Sequence, residues 1–451
     1  MAIPEILALV DEGLGNSSYL VDLGDGSAMV VDPARDARPY LEGAAKRRLH
    51  ISTAVETHLH ADFVSGSREL AARGSLVVAA RTAAMEHPHH GMIGGERLDL
   101  GGLTLEALAT PGHTPEHLAY VLRDGSHPVA LFSGGSLLVG AVARTDLTSP
   151  DRTDELARSL WRSIQEQLLS LPDDLPVYPT HGAGSFCSVA PGGERVTTIG
   201  REKSSNPLLG AVDEDAFVAR LLAGLGTFPP YFLELREVNR RGPRVYGEWP
   251  ALSPLEAGTV RNLIENDTVV VVDARGVAAF AAGHIFGSVS IPLRPQFASW
   301  LGWLVGREQT IVMVLDEAQD RAEVVRQCLA IGYERLAGEL SGGMAAWRSE
   351  GLAVATATLV TPEDAIGTLV DVRQRSEFTS GHVPDAINVE LGAAAEQASA
   401  LPAGPLTLMC GHGERAISAM SILAARGRTD VAVLVGGPGD VVAARHQCLV
   451  E

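Results

Sequence analysis

The sequence predicts an α/β and α+β multidomain chain, with two sheets sandwiched between helices at the front and two small parallel-sheet α/β domains behind. Three observations carry this prediction. Apolar strand-like runs and helix-like segments alternate twice over residues 5–181. Three of the turns that follow such runs carry histidine, at His58, His113 and His181. From residue 253 onward one set of motifs occurs twice, the mark of an internal repeat. A chain of 451 residues has room for this arrangement.

Taken in order, residues 18–22 and 28–32 are apolar runs on either side of Gly24-Asp25-Gly26, a hairpin signal. Residues 36–48 have helical periodicity. The apolar run 51–55 then stops abruptly at Thr57-His58-Leu59-His60-Ala61-Asp62-Phe63. Residues 67–73 read as a helix, 75–80 as a strand, and 98–105 as a second hairpin around Gly101-Gly102. Thr110-Pro111-Gly112-His113-Thr114 follows, then strands over 118–122 and 129–132 and a helix over 153–170. A last strand runs into Pro179-Thr180-His181, closing a front domain at residues 1–190. Residues 191–252 read as a docked connector with a turn at Pro191-Gly192-Gly193-Glu194, a helix over 214–225 and an apolar anchor at Tyr231-Phe232.

His58, His60 and Asp62 alternate, so a strand, or the turn just past one, brings them to one side. Converging imidazole and carboxylate groups suit a first-row transition ion, and polar groups gathered in a core need a partner. With His113 and His181 arriving from other strand ends, the pattern resembles the metallo-β-lactamase superfamily over about residues 5–190, which implies an αββα sandwich. Phe63 departs from that pattern, because many members have histidine there. The run His87-Pro88-His89-His90 lacks nearby acids and reads as an exposed loop.

Behind the connector, Asp273-Ala274-Arg275 and Gly283-His284-Ile285 recur at one offset as Asp371-Val372-Arg373 and Gly381-His382-Val383. Arg321 and Gly342-Gly343 recur as Arg415 and Gly436-Gly437 at a slightly shorter one. In the second copy (356–451), Cys410-Gly411-His412-Gly413-Glu414-Arg415 follows an apolar strand and opens a helix. Successive N–H groups and the helix dipole there favour a thiolate. Gly411 and Gly413 let the backbone wrap a sulfur ligand, Arg415 adds positive charge, and His412 lies where it tunes the thiol or binds an anion. The loop, with Asp371-Val372-Arg373 and residues 381–388, resembles a rhodanese domain, and the resemblance implies that Cys410 carries sulfane sulfur. The first copy (253–355) has Asp316 at the cysteine position within Asp316-Glu317-Ala318-Gln319-Asp320-Arg321. A carboxylate cannot be persulfidated, so this copy is expected to be silent. Cys328 falls in a helix core, and the repeated His284 and His382 read as parts of the fold.

This domain order resembles the persulfide dioxygenase–sulfurtransferase fusions of sulfide detoxification. Ala143-Arg144-Thr145-Asp146-Leu147 and residues 180–185, with Cys187 just behind, fit that subgroup. The resemblance implies one mononuclear metal, iron(II) ahead of zinc, held by His58, His113 and an aspartate. It also implies a low-molecular-weight thiol persulfide (of glutathione, coenzyme A or similar), O₂ and sulfite as reactants, Arg144 and Cys187 near the substrate, and a homo-oligomer. The expected aspartate is missing, because its segment reads Ser133-Gly134-Gly135-Ser136. A third ligand from His60, Asp62 or His181 stays open, as does an empty site serving as a binding platform. Cys187 is read either as a persulfide relay or as a small buried residue. The rival activities are a sulfurtransferase with a silent front domain and a glyoxalase II-like thioester hydrolase, which normally uses two metals.

A net charge of −19 speaks against nucleic acid and against anionic membranes. Four unpatterned cysteines and a start, Met1-Ala2-Ile3-Pro4-Glu5, without the features of a signal peptide lead to the expectation of a cytoplasmic enzyme.

Overall fold

Continuously buried apolar strands build the front sheet. In the computed structural model, which describes residues 4–188 and 193–450, the strands Ile6–Asp11, Asn16–Asp22, Ser27–Val31, His50–Val55, Leu76–Ala80 and His90–Met92 lie side by side in chain order. The first hairpin pairs Tyr19 with Val31 and Val21 with Met29 across Gly24-Asp25-Gly26, as its sequence predicts. From Ser27–Val31 onward the strands run parallel. A second six-stranded sheet has the order Thr197–Thr198, Pro176–Pro179, His127–Gly134, Leu118–Asp124, Leu103–Ala109 and Arg97–Asp99.

The two sheets enclose one apolar core, in which Tyr19, Met29, Val55 and Val78 meet Leu105, Tyr120, Leu122 and Phe132. The helix Arg38–Arg47 covers the outer face of the first sheet through Tyr40 and Ala44. The helices Thr153–Ser163 and Glu214–Ala223 cover the second through Ala157, Leu160 and Phe217. The helix predicted over 153–170 thus ends its α-helical part at Ser163 and continues as a π-helical stretch, Ile164–Leu168. The helix Phe232–Arg241 belongs to the same compact unit, which runs to Trp249. Pro191 and Gly192 of the predicted connector turn lie outside the described residues.

The second unit begins at Pro250 and contains the repeat. Its first sheet has the order Pro254–Leu255, Leu336–Leu340, Ile311–Val314, Val270–Asp273, Val289–Ser290. The second sheet has the same order, with Thr358–Val360, Val431–Leu434, Leu406–Met409, Thr368–Asp371, Ile387–Asn388. Every pairing in both sheets is parallel. The repeated residues repeat their contacts. Arg275 pairs with Asp273 and Arg373 with Asp371 at 2.6 and 2.7 Å, and the rings of His284 and His382 stack on Phe280 and Phe378 at 3.9 and 3.8 Å. Cys328 is fully buried in the helix Arg321–Ala330. Among the described residues, no helix is long and apolar enough to cross a membrane.

Candidate metal centre and thiol loop

Past Val55 the chain from Glu56 to Gly66 is buried and largely irregular, so its backbone groups must find partners elsewhere. The helix Phe232–Arg241 and the residue before it supply them. Asn239 Nδ2 donates to the carbonyls of His60 (2.8 Å) and Phe63 (2.9 Å), and its Oδ1 accepts from Ser65 N (2.9 Å). Tyr231 Oη donates to the carbonyl of Asp62 at 2.9 Å. At the loop's start, Asp32 accepts from the backbone N and the hydroxyl of Thr57, both at 2.7 Å, and from the Thr180 hydroxyl. Asp32, Asn239 and Tyr231 had no sequence signal as site residues, because each lies far along the chain from the groups it holds.

These anchors set which nitrogen each imidazole presents. Thr57 spends its hydroxyl proton on Asp32, so it accepts from His58 Nδ1–H at 2.8 Å and leaves His58 Nε2 bare. His113 Nδ1 donates to the carbonyl of Arg144 at 2.6 Å, which leaves its Nε2 bare as well. His181 Nδ1 meets Asn16 Oδ1 at 3.0 Å, and its Nε2 faces His58 Nε2 at 3.4 Å. Burial, followed by the neighbouring imidazoles, pushes His58 and His113 well below the ordinary histidine range, so both stand as neutral lone-pair donors. Metal-binding histidines are oriented in this way, with the far nitrogen hydrogen-bonded and the near one free. The donor set therefore fits a transition ion.

The other members of the first motif are placed differently. His60 Nε2 lies 3.2 Å from both Asp32 Oδ1 and Glu56 Oε2, while a ring nitrogen remains within 4.8 Å of those of His58 and His181. Burial opposes a charge on His60, but the two carboxylates outweigh it and raise its pKa to about 10. Phe63 stacks on its ring at 4.1 Å. His60 thus serves as the buried cation between two acids. His60→Ala would leave Asp32 and Glu56 without it, and a stability loss of about 3–5 kcal/mol is expected in urea unfolding. Asp62 Oδ2 sits 3.3 Å from His181 Nδ1, and both its oxygens are buried without a well-formed hydrogen bond. Burial works against its charge, yet His181 and His60 hold the carboxyl below the usual range.

Gly135 is tightly enclosed, because a Cβ built there would lie 2.4 Å from His113 Cδ2. Its N–H donates to His117 Nε2 at 3.0 Å, and His117 Nδ1 meets the Thr110 hydroxyl at 2.8 Å. Both nitrogens of His117 are thereby occupied in holding the fold. Cys187 is fully buried, and burial pushes its thiol well above the ordinary range, which disfavours a reactive relay thiol.

Arg144, expected near the substrate, is a buried pin. Its guanidinium donates to Asp146 twice at 2.7 Å, to the Phe186 carbonyl at 3.1 Å and to the Gly226 carbonyl at 2.8 Å. Arg144→Ala is expected to cost on the order of 3 kcal/mol of folding stability, read as a lower denaturation midpoint. His87 is buried, whereas His90 is exposed, so the predicted exposed loop has one end tucked in. A cavity of about 480 Å³ opens beside the metal loop, lined by Leu59, Pro115, Leu147, Leu233, Arg236 and Arg240.

In the second unit, the strand Leu406–Met409 ends at Cys410 and the helix Glu414–Ala425 begins three residues after Gly411. Gly413 (φ 97°) aims its N–H at Cys410 Sγ, 3.1 Å away, in a backbone conformation that favours glycine. Arg415 does not stand as a free charge. Both its terminal nitrogens are held by Glu377, at 2.5 and 2.9 Å. His412 is exposed at the loop tip. The first rhodanese-like copy braces this loop, with Trp300 under the Arg415 guanidinium at 5.6 Å and Arg294 paired to Glu414 at 3.0 Å. Its own loop is filled from within, because Arg321 donates to the carbonyls of Asp316, Glu317 and Gln319.

Comparison with known proteins agrees with this geometry. Residues 11–181 match the metallo-β-lactamase superfamily, and residues 256–350 and 357–443 each match the rhodanese-like domain. The chain is 32% identical over 197 residues to the mitochondrial persulfide dioxygenase ETHE1 of Homo sapiens, spanning 43% of this chain and 70% of that protein. It is 34% identical over 169 residues to a hydroxyacylglutathione hydrolase of Synechococcus sp., spanning 36% of this chain and 62% of that protein. A metallo-β-lactamase from Staphylococcus aureus superposes with a TM-score of 0.66 at 28% identity, over 76% of this chain and 99% of that one. Three bare imidazole nitrogens at the sandwich edge, a thiol loop in the last repeat and this similarity have one account: the chain belongs to the persulfide dioxygenase family of the metallo-β-lactamase superfamily and carries two rhodanese-like domains behind that domain.

Proposed function

We propose that this enzyme oxidises the outer sulfur of a low-molecular-weight thiol persulfide to sulfite in the front domain, and moves a second sulfane sulfur through Cys410 to sulfite. The observation that carries the reading is the pairing, in one chain, of a three-imidazole centre with a thiol whose sulfur receives the Gly413 N–H. The overall balance is RSSH + O₂ + H₂O → RSH + SO₃²⁻ + 2H⁺. Transfer then takes two steps. The Cys410 thiolate takes the outer sulfur from a persulfide and releases RSH, and sulfite attacks that sulfur to give thiosulfate and restore the thiolate.

His58, His113 and His181 would hold the metal, and the bound metal, iron(II) in this reading, supplies the binding and activation of O₂ and the persulfide. The chain's own groups do the rest. Thr57, the Arg144 carbonyl and Asn16 keep the three lone pairs inward. The cavity beside the metal loop offers an apolar wall of Leu59, Pro115, Leu147 and Leu233 to the thiol, with Arg236 and Arg240 at its rim paired to Glu116 and Glu237. In the last domain, the Gly413 N–H donates to the Cys410 sulfur that would carry the transferred atom. Four free thiols support a reducing compartment, which we take to be the cytoplasm.

The test is O₂ uptake by protein reconstituted anaerobically with iron(II), using glutathione persulfide and coenzyme A persulfide. Stoichiometric sulfite with one O₂ consumed per persulfide is expected. Metal-loaded protein that takes up no O₂ with either would refute the oxygenase reading. A hydrolase reading is less well supported, because a second metal would compete with His60 for Asp32 and Glu56 and meet Phe63 where a further donor is usual.

A further inference from the structure

We propose that Cys187 is a metal ligand of the front centre, a thiolate standing where Gly135 provides no carboxylate. The inference rests on the metal-enzyme reading of that domain given above. It begins with a steric fact. A Cβ at Gly135 would meet His113 Cδ2 at 2.4 Å and Cγ at 2.8 Å, so the His113 ring already fills the space that a side chain from position 135 would enter. The ring is fixed there by the bond from Nδ1 to the Arg144 carbonyl. A fourth donor must come from another direction.

The fold supplies one. A ring nitrogen of His113, one of His181 and Cys187 Sγ lie within 4.8 Å of one another, and all three residues are buried. The register between them is set by a single residue. Arg144 N donates to the Cys187 carbonyl at 2.9 Å, while Arg144 O accepts from His113. The bridge between Ala143 and Ser188 and the bond from Cys187 N to Ser185 Oγ at 3.2 Å hold the sulfur's backbone in place.

Two further observations suit a cation at this point. His58 Nε2 and His181 Nε2 are both left bare by their Nδ1 partners and face each other at 3.4 Å. Two lone pairs at that separation repel unless a proton or a metal ion lies between them, and two nitrogens each about 2.0–2.1 Å from one ion at a tetrahedral angle sit about 3.4 Å apart. Asp62, buried and without a well-formed hydrogen bond, stands behind His181 on its Nδ1 side, the position from which a carboxylate strengthens a ligating imidazole.

Binding would exchange the thiol proton for the metal, with the proton leaving to solvent and no change of oxidation state. His181 is shared between the group with His113 and Cys187 and the group with His58 and His60, and drawing the two together around one ion would give the donor set His58, His113, His181 and Cys187. Four such donors complete a tetrahedron on zinc and close it, whereas an ion that takes six ligands keeps two positions free. The metal loaded would therefore decide whether the centre is closed or open to reactants.

The test uses the full-length chain carrying Cys410→Ser and Cys448→Ser, so that neither thiol competes, titrated anaerobically with cobalt(II). About one cobalt per chain is expected, with an intense near-ultraviolet sulfur-to-cobalt charge-transfer band. Adding Cys187→Ser, and separately Cys187→Ala, should remove the band and weaken cobalt binding more than about tenfold, while far-ultraviolet circular dichroism of the metal-free protein stays unchanged. A band that persists in both variants overturns the assignment, as does stoichiometric cobalt without the band, which leaves the metal-enzyme reading standing. A parent chain that binds no cobalt overturns both.

Discussion

Cys410→Ser is expected to reduce thiosulfate formation from persulfide and sulfite by about a thousandfold or more, to the uncatalysed level, with sulfite formation and O₂ uptake unchanged. The hydroxyl is nearly isosteric with the thiol, so the loop keeps its shape and the Gly413 N–H keeps an acceptor. What disappears is a nucleophile that can accept a sulfur atom and release it again. The first repeat cannot compensate. Its loop has Asp316 at the matching position, and Arg321 occupies the carbonyls that frame it. Sulfite and thiosulfate measured by ion chromatography, alongside an oxygen electrode, would separate the two half-reactions. Thiosulfate formation that persists in the variant would mean that another group carries the sulfur.

His113→Ala should give the reciprocal result. Bound iron falls from about one per chain towards none and O₂ uptake drops by at least about a hundredfold, while thiosulfate:cyanide sulfur transfer by Cys410 stays near the parent rate. The loss has two parts: the bare Nε2, and the ring that occupies the space facing Gly135. Metal analysis, an oxygen electrode and the cyanide assay on one preparation read all three quantities. The comparison with His60→Ala is informative, because His60 Nε2 is committed to Asp32 and Glu56. That variant should register first in stability, and His113→Ala first in metal content.

Much of the architecture was legible because its signals are contiguous. Two apolar runs flanking Gly24-Asp25-Gly26 gave the strands of the first hairpin, and Tyr19 and Val31 do pair across it. The repeat was legible because Asp273-Ala274-Arg275 and Asp371-Val372-Arg373 perform one local task, an ion pair within three residues, in both copies. The helix over 153–170 was less well read, because periodicity does not distinguish an α-helix from the π-helical stretch that follows Ser163. The partners of Arg144 were out of reach for a related reason. The motif around it was visible, but its partners Phe186 and Gly226 lie 42 and 82 residues away.

By itself the sequence determined that imidazoles gather at strand ends in front, that one copy of the rear repeat keeps its thiol, and that the other has lost it. Tertiary structure alone decided which nitrogen each imidazole offers, that His60 is claimed by two acids, and that Cys187 lies next to His113 and His181. The physical reason is distance along the chain. A tautomer is set by the partner of the far ring nitrogen, and for His181 that partner, Asn16, is 165 residues away.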